Sequence, residues 1–120
     1  MALGKIKADT LEHSTAGSLD TKFVVNGSAK AWAKCAADGT SINDSFNITS
    51  LTDSGTALQT LTIASDMSNT NYAGLATSID STCILIVDSH ATGTYRLVSR
   101  NNAGTLTDAI TQSALMGDLA

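Results

Sequence analysis

The residue types of a nucleophilic triad occur side by side in this sequence, as Asp88-Ser89-His90. A working triad brings these residues together from separate parts of the chain with a defined geometry. Three consecutive polar residues that follow the apolar run 83–87 are more typical of a turn. We therefore interpret them as a turn, and the sequence contains no G-x-S-x-G nucleophile elbow.

Metal-binding and phosphate-binding patterns are also missing from the sequence. His13 and His90 share no ligand spacing with each other or with the two cysteines. The aspartates are spread over separate turns, unlike those of an EF-hand loop, and there is no Gly-rich phosphate loop. We predict no catalytic residue, cofactor or metal, so the chain is not expected to be an enzyme. A polysaccharide hydrolase remains an alternative, although no carboxylate pair stands out.

The two cysteines, Cys35 and Cys83, lie far apart and form no C-x-x-C pair. Free cysteine behaves as a small apolar side chain and is usually buried. We predict two free buried thiols, and a disulfide formed after the protein leaves a reducing cell is the alternative.

Recognition chemistry is best represented by Tyr72, Tyr95, Arg96 and Arg100. Tyrosine and arginine are the residue types that dominate binding hot spots. Tyr95 and Arg96 begin a predicted strand directly after a turn, so we name these four residues as candidate receptor contacts. The alternative is that the tyrosines are half-buried sheet residues and that the arginines pair with nearby aspartates.

The elements that must position these residues are predicted from composition. Thr, Ser, Asn and Asp dominate the polar residues, Glu12 is the single glutamate, and proline is absent. Thr favours strands, whereas Asp, Asn and Ser favour turns. Turn signals recur at short intervals, which is typical of an antiparallel sandwich. We expect strands at residues 46–51, 57–64, 71–76, 83–87, 95–99 and 106–116; residues 111–116 could instead form a short helix.

Two of these strands have distinctive patterns. Asn26-Gly27 between residues 23–25 and 28–35 predicts a β-hairpin with a type I′ turn. In its second strand the alanines and Cys35 share one face, and Trp32 lies on the other with two lysines. Residues 83–87 are apolar on both faces and are predicted to be the central buried strand.

The predicted fold is an all-β antiparallel sandwich, jelly-roll-like, with an N-terminal extended arm. Residues 1–22 form the arm, and residues 23–120 form the sandwich. The arm has a weak strand signal at residues 5–9 and a loop at 13–18. Its large apolar side chains, Ile6, Leu11 and Leu19, are too few to fold it alone. We predict that it attaches the sandwich to sibling chains or to a larger particle.

Net charge and hydropathy restrict the possible partners. The net charge is −4, and the seven basic residues form no patch, which argues against a nucleic-acid partner. The longest apolar run is too short to cross a bilayer. The first residues lack the apolar stretch of a signal peptide, so we expect assembly in a cytoplasm.

Four stretches carry a resemblance to a known family. They are residues 5–21, the motif NGSAKAW at 26–32, DSFN at 44–47 and the ending GDLA at 117–120. The chain resembles small tail-fibre-like virion structural proteins of bacteriophages that infect marine and other aquatic bacteria. Family members often have an aromatic-containing strand after the Trp, whereas residues 33–36 are AKCA here.

The resemblance implies a virion protein assembled in the host cytoplasm, displayed on a fibre or spike and involved in host attachment. Its partners would be itself, as a homotrimer, other virion proteins, and a host surface glycan or protein. The alternative is a capsid decoration protein with a purely architectural role.

Overall fold

The computed structural model describes Gly4 and residues 6–120. The described residues form ten strands and one short helix. In chain order these are β1 (Thr10–His13), β2 (Gly17–Asp20), α1 (Thr21–Gly27), β3 (Ala29–Cys35), β4 (Ile42–Phe46), β5 (Ile48–Gly55), β6 (Leu58–Ile63), β7 (Ala73–Ser78), β8 (Cys83–Asp88), β9 (Thr94–Asn101) and β10 (Thr111–Met116).

Eight of the strands form two four-stranded antiparallel sheets that pack face to face. The first sheet has the order β4-β3-β10-β7, and the second has the order β5-β6-β9-β8. The all-β antiparallel sandwich is therefore confirmed, and its eight strands match a jelly roll in number. Hairpins join β3 to β4, β5 to β6 and β8 to β9 within single sheets, whereas the other connections change sheets.

The sandwich closes because the inner face of β3 carries small side chains. Ala31, Ala33 and Cys35 are all buried there, as the alternating pattern predicts. Larger side chains fill the space between the sheets from the other strands; Leu61, Tyr95 and Leu115 are fully buried. A small face on one sheet thus accommodates bulky residues on the other.

The predicted hairpin at Asn26-Gly27 is wrong. Residues Thr21–Gly27 form α1, and β3 pairs with β4 on one side and with β10 on the other. Both edges of β3 are therefore occupied, so residues 23–25 have no strand to pair with. The second strand of the predicted hairpin is correct and corresponds to β3.

The prediction that residues 83–87 form the central strand is also wrong. β8 lies at an edge of the second sheet, where it pairs only with β9. Its side chains alternate between the interior and the surface, so Ile84 and Ile86 are exposed. Apolar residues on both faces of a strand indicate burial only when a neighbouring layer covers both faces.

Individual residues shape the two sides of the sandwich, where an edge strand of one sheet approaches an edge strand of the other. Asn47 has a φ of 57° and separates β4 from β5, so the chain turns from one sheet into the other. On the opposite side, Gly74 of β7 lies against β8, and a Cβ added there would be 2.7 Å from Cγ1 of Val87. Only glycine permits this approach between the two edge strands. At the C-terminus, β10 is a strand between β3 and β7, which confirms the strand interpretation of residues 111–116. The strand predicted at 106–116 is shorter than expected, because it begins only at Thr111.

The chain before β3 forms a small unit of its own, here called the N-terminal segment (residues 6–28). β1 and β2 pair as a two-stranded hairpin, and α1 follows directly. The strand predicted at residues 5–9 does not form at 6–9, and Lys5 lies outside the described residues. The predicted loop at 13–18 is shorter, because β2 already begins at Gly17.

The N-terminal segment contributes to an elongated shape. The radius of gyration is 16.8 Å, whereas a compact chain of this length has about 14 Å. Within the described residues, no helix is long and apolar enough to cross a membrane.

Candidate functional surfaces

Tyr95, a predicted receptor contact, lies in the centre of the core. Its side chain is fully buried, and its hydroxyl is 2.8 Å from Oγ of Ser113 on the opposite sheet. Burial raises the pKa of Tyr95 to about 12. The folded sandwich therefore hides Tyr95 from a receptor and uses it to connect the two sheets.

Tyr72 is buried as well, near one end of the sandwich. Its hydroxyl lies 2.9 Å from the carbonyl oxygen of Ala91 and 3.2 Å from that of Thr94, and it donates to these acceptors. Its ring packs against His90 at a centroid distance of 4.9 Å. Burial raises the pKa of this hydroxyl also. Tyr72 thus holds the connection between β8 and β9 in place.

Arg96 forms a bidentate ion pair on the outer face of the second sheet. Its Nε and one terminal nitrogen donate to the two carboxylate oxygens of Asp88, at 2.9 and 2.8 Å. The hydrogen bonds from Arg96 lower the pKa of Asp88. Arg100, four residues further along β9 and on the same face, donates to the carbonyl oxygen of Gly104 at 2.9 Å. The two arginines share a face, but the tyrosines do not join them, so the four candidates form no single site.

Asp88 is the last residue of β8, and Ser89 and His90 begin the connection from β8 to β9. Asp88 is bound to Arg96, His90 packs on Tyr72, and Ser89 has a φ of 51°. The carboxylate and the imidazole are thus each held by a neighbour outside the triplet. Among the described residues, no group of three His, Cys, Asp or Glu side chains is placed to hold a metal ion.

The cysteines occupy different sheets, and both are free thiols. Cys35 is fully buried on β3, and burial raises the pKa of its thiol, opposed by a hydrogen bond with Thr111. Cys83 is half-buried on the edge strand β8. The prediction of burial is therefore confirmed for Cys35 and holds only partly for Cys83.

A buried polar network ties the two sheets together next to Tyr95. Gln59 of the second sheet donates to the carbonyl oxygen of Ala36 at 2.8 Å, and it accepts from Thr111 of the first sheet at 2.7 Å. No buried side-chain polar atom in the described residues lacks a hydrogen-bond partner. The polar side chains of the core are thus satisfied by one another and by backbone carbonyl oxygens.

An exposed apolar row crosses the outer face of the first sheet. Cross-strand pairing places four residues side by side, here called the Trp32 row: Phe46, Trp32, Ala114 and Leu75. Phe46 and Leu75 are 55% and 57% exposed. The next row along the strands is polar and consists of Asp44, Lys34, Gln112 and Thr77. The alternating pattern of residues 28–35 already indicated part of this row, because it places Trp32 on the face opposite the alanines.

The second exposed apolar surface is the N-terminal segment itself. Neither the hairpin nor α1 contains a buried residue. Ile6 is 93% exposed, and the other large apolar side chains of the segment are Leu11, Leu19, Phe23, Val24 and Val25, all exposed. Leu11 and Leu19 are cross-strand partners and therefore form one apolar face of the hairpin.

These two surfaces suit contact with another macromolecule, because they are apolar, exposed and bordered by charged groups. Comparisons with protein-family models, with curated proteins and with solved structures gave no match to this chain.

Proposed function

We propose that this chain is a non-enzymatic structural protein of a phage virion, a surface-displayed module of the fibre or spike type that assembles through its N-terminal segment. The observation that carries the proposal is that this segment exposes six large apolar side chains and buries none. A two-stranded hairpin and a seven-residue helix are each too small to be stable alone in water. A binding partner that covers these side chains would supply the missing stabilisation.

The assignment to a phage particle is supported by the resemblance of residues 5–21, 26–32 and 44–47 to small virion proteins. The sequence composition agrees with it, since a sandwich with few aromatic residues gains stability from association. For host attachment, the accessible candidates are Arg100 and the Trp32 row, because Tyr72 and Tyr95 are buried. We propose a host surface glycan or protein as the outer partner.

The test is to locate the chain on intact particles. Antibodies raised against the purified protein should label gradient-purified virions at the tail fibre or spike in negative-stain images. Labelling distributed over the head would support the capsid decoration role instead. Virions that contain none of this chain, measured by mass spectrometry of their proteins, would overturn the proposal.

A further inference from the structure

A histidine side chain closes the tip of the β1–β2 hairpin. Nδ1 of His13 accepts hydrogen bonds from the backbone N–H groups of Thr15 and Ala16, at 3.3 and 3.1 Å. The hydroxyl of Thr15 lies 3.3 Å from the same nitrogen. A ring nitrogen of histidine accepts a hydrogen bond only while it carries no proton. The turn therefore requires the neutral form of His13, with the proton on Nε2.

Few other interactions hold the two strands of the hairpin together. β1 and β2 have four residues each and contain no buried side chain. At the open end of the hairpin, the backbone N–H of Thr21 donates to the carbonyl oxygen of Asp9 at 2.8 Å. An isolated two-stranded hairpin is at best marginally stable in water. Loss of the hydrogen bonds at the tip should therefore shift the hairpin toward an open form.

We propose that the β1–β2 hairpin is a pH-sensitive switch, closed while His13 is neutral and opened when His13 is protonated. A proton on Nδ1 turns this nitrogen from an acceptor into a donor, which then faces the two N–H donors of the turn. Histidine is the side chain whose charge ordinarily changes between about pH 5 and 8. The stabilisation of the turn is thus present above this range and is lost as the pH falls through it.

The other charged groups of the hairpin titrate outside this range. Glu12 precedes His13 on β1, and alternation directs its side chain to the opposite face of the hairpin. α1, which contacts β2, contributes Lys22, and its Nζ lies 3.0 Å from a carboxylate oxygen of Asp20. Aspartate and glutamate ordinarily become neutral only near about pH 4, and lysine only near about pH 10. A transition of the hairpin between these limits therefore reports on His13.

Opening the hairpin would change the apolar surface of the N-terminal segment. Leu11 and Leu19 are cross-strand partners, so their common apolar face exists only in the closed hairpin. This consequence rests on the proposed function, in which the segment is the attachment device: attachment is favoured near neutral pH and weakened in an acidic medium. The switch itself is a property of the isolated chain and is tested on it.

Nuclear magnetic resonance of the full-length protein between about pH 8 and 5 tests the switch. The backbone amide signals of Thr15 and Ala16 should shift with the same midpoint as the ring signals of His13. The nuclear Overhauser contact between Leu11 and Leu19 should weaken by about two- to tenfold across the range, as expected for the loss of one or two exposed hydrogen bonds. In His13→Asn the side-chain oxygen accepts from the same turn without titrating, so this variant should keep the contact at every pH.

The matched control is His90→Asn, which replaces the other histidine of the chain, whose ring packs on Tyr72 in the sandwich. This variant and Glu12→Gln should both leave the hairpin transition unchanged, and the dispersed signals of the sandwich show in the same spectra that each variant is folded. The inference is wrong if the contact between Leu11 and Leu19 is constant over the pH range, or if His13→Asn loses it at the midpoint of the unaltered chain. Absence of the chain from virions would overturn the proposed function and leave this transition intact.

Discussion

The hydroxyl pair of Tyr95 and Ser113 connects the two sheets through the core, and removing one partner should lower stability. The two oxygens are 2.8 Å apart and are buried, so water cannot replace the lost bond. Tyr95→Phe leaves the Ser113 hydroxyl without this partner, and an unsatisfied buried polar group costs about 1–3 kcal/mol. For a chain of this size, 1 kcal/mol corresponds to about 4 °C in Tm. We expect Tm to fall by roughly 4–12 °C.

Thermal unfolding followed by circular dichroism measures this effect, and a double-mutant cycle with Ser113→Ala isolates the pair. The double variant should be no less stable than Tyr95→Phe, because both hydroxyls are then absent. The control is Ser54→Ala, which breaks a surface hydroxyl pair with Thr60, also 2.8 Å apart, where water can replace it. An unchanged Tm for Tyr95→Phe, or strictly additive effects in the cycle, would refute the argument.

Three further predictions concern the packing of the sandwich. The pKa of Tyr95 is raised to about 12 in the folded protein, so folding favours its neutral form. The resulting contribution to the free energy of unfolding is fully present below the ordinary tyrosine pKa near 10. We expect the free energy of unfolding, measured with urea, to fall by about 2–3 kcal/mol as the pH rises to 12. The raised pKa of Cys35 acts in the same direction, and a flat alkaline profile would contradict both assignments. Gly74→Ala places a methyl group 2.7 Å from Cγ1 of Val87 and should lower the free energy of unfolding in urea by about 1–3 kcal/mol. Adding Val87→Ala should restore part of this loss. An unchanged free energy of unfolding for Gly74→Ala would contradict the close approach of the two edge strands. Replacing Cys35 and Cys83 by alanine should lower the free energy of unfolding by roughly 1–2 kcal/mol and leave the mass measured by light scattering unchanged. An intact disulfide, detected by mass spectrometry of virion proteins, would contradict the assignment of both cysteines as free thiols.

The fold class was predictable because alternation and turn residues are local properties. The pattern of β3 identified Ala31, Ala33 and Cys35 as one face, and this face packs inside. The error at residues 23–27 arose because a turn signal does not reveal whether the partner strand has a free edge. Both edges of β3 are taken by strands distant in sequence, and that information is absent from the local pattern. The prediction that residues 83–87 form a central strand was wrong for the same reason, since the local pattern does not show whether a strand lies at the edge of its sheet.

The candidate site was harder to predict than the fold. Tyr95 and Arg96 are neighbours on β9, so alternation necessarily sends one inside and the other outside. The alternating pattern alone does not show which of the two side chains points inward. In the structure Tyr95 points inward, where its hydroxyl forms a hydrogen bond with Ser113. Arg96 on the surface pairs with Asp88, as the alternative interpretation expected. The Trp32 row joins residues from four strands, and only the sheet order brings them together.

Loading of a truncated chain onto virions tests the central claim most directly. Deleting residues 1–28 removes none of the buried residues in the described part of the chain, since these lie between Ala31 and Leu115. We expect the truncated protein to keep the β-sheet circular dichroism spectrum and cooperative unfolding of the full chain, yet to be absent from purified virions. Truncated protein that is folded and recovered in virions at the level of the full chain would show that the N-terminal segment is not the attachment device.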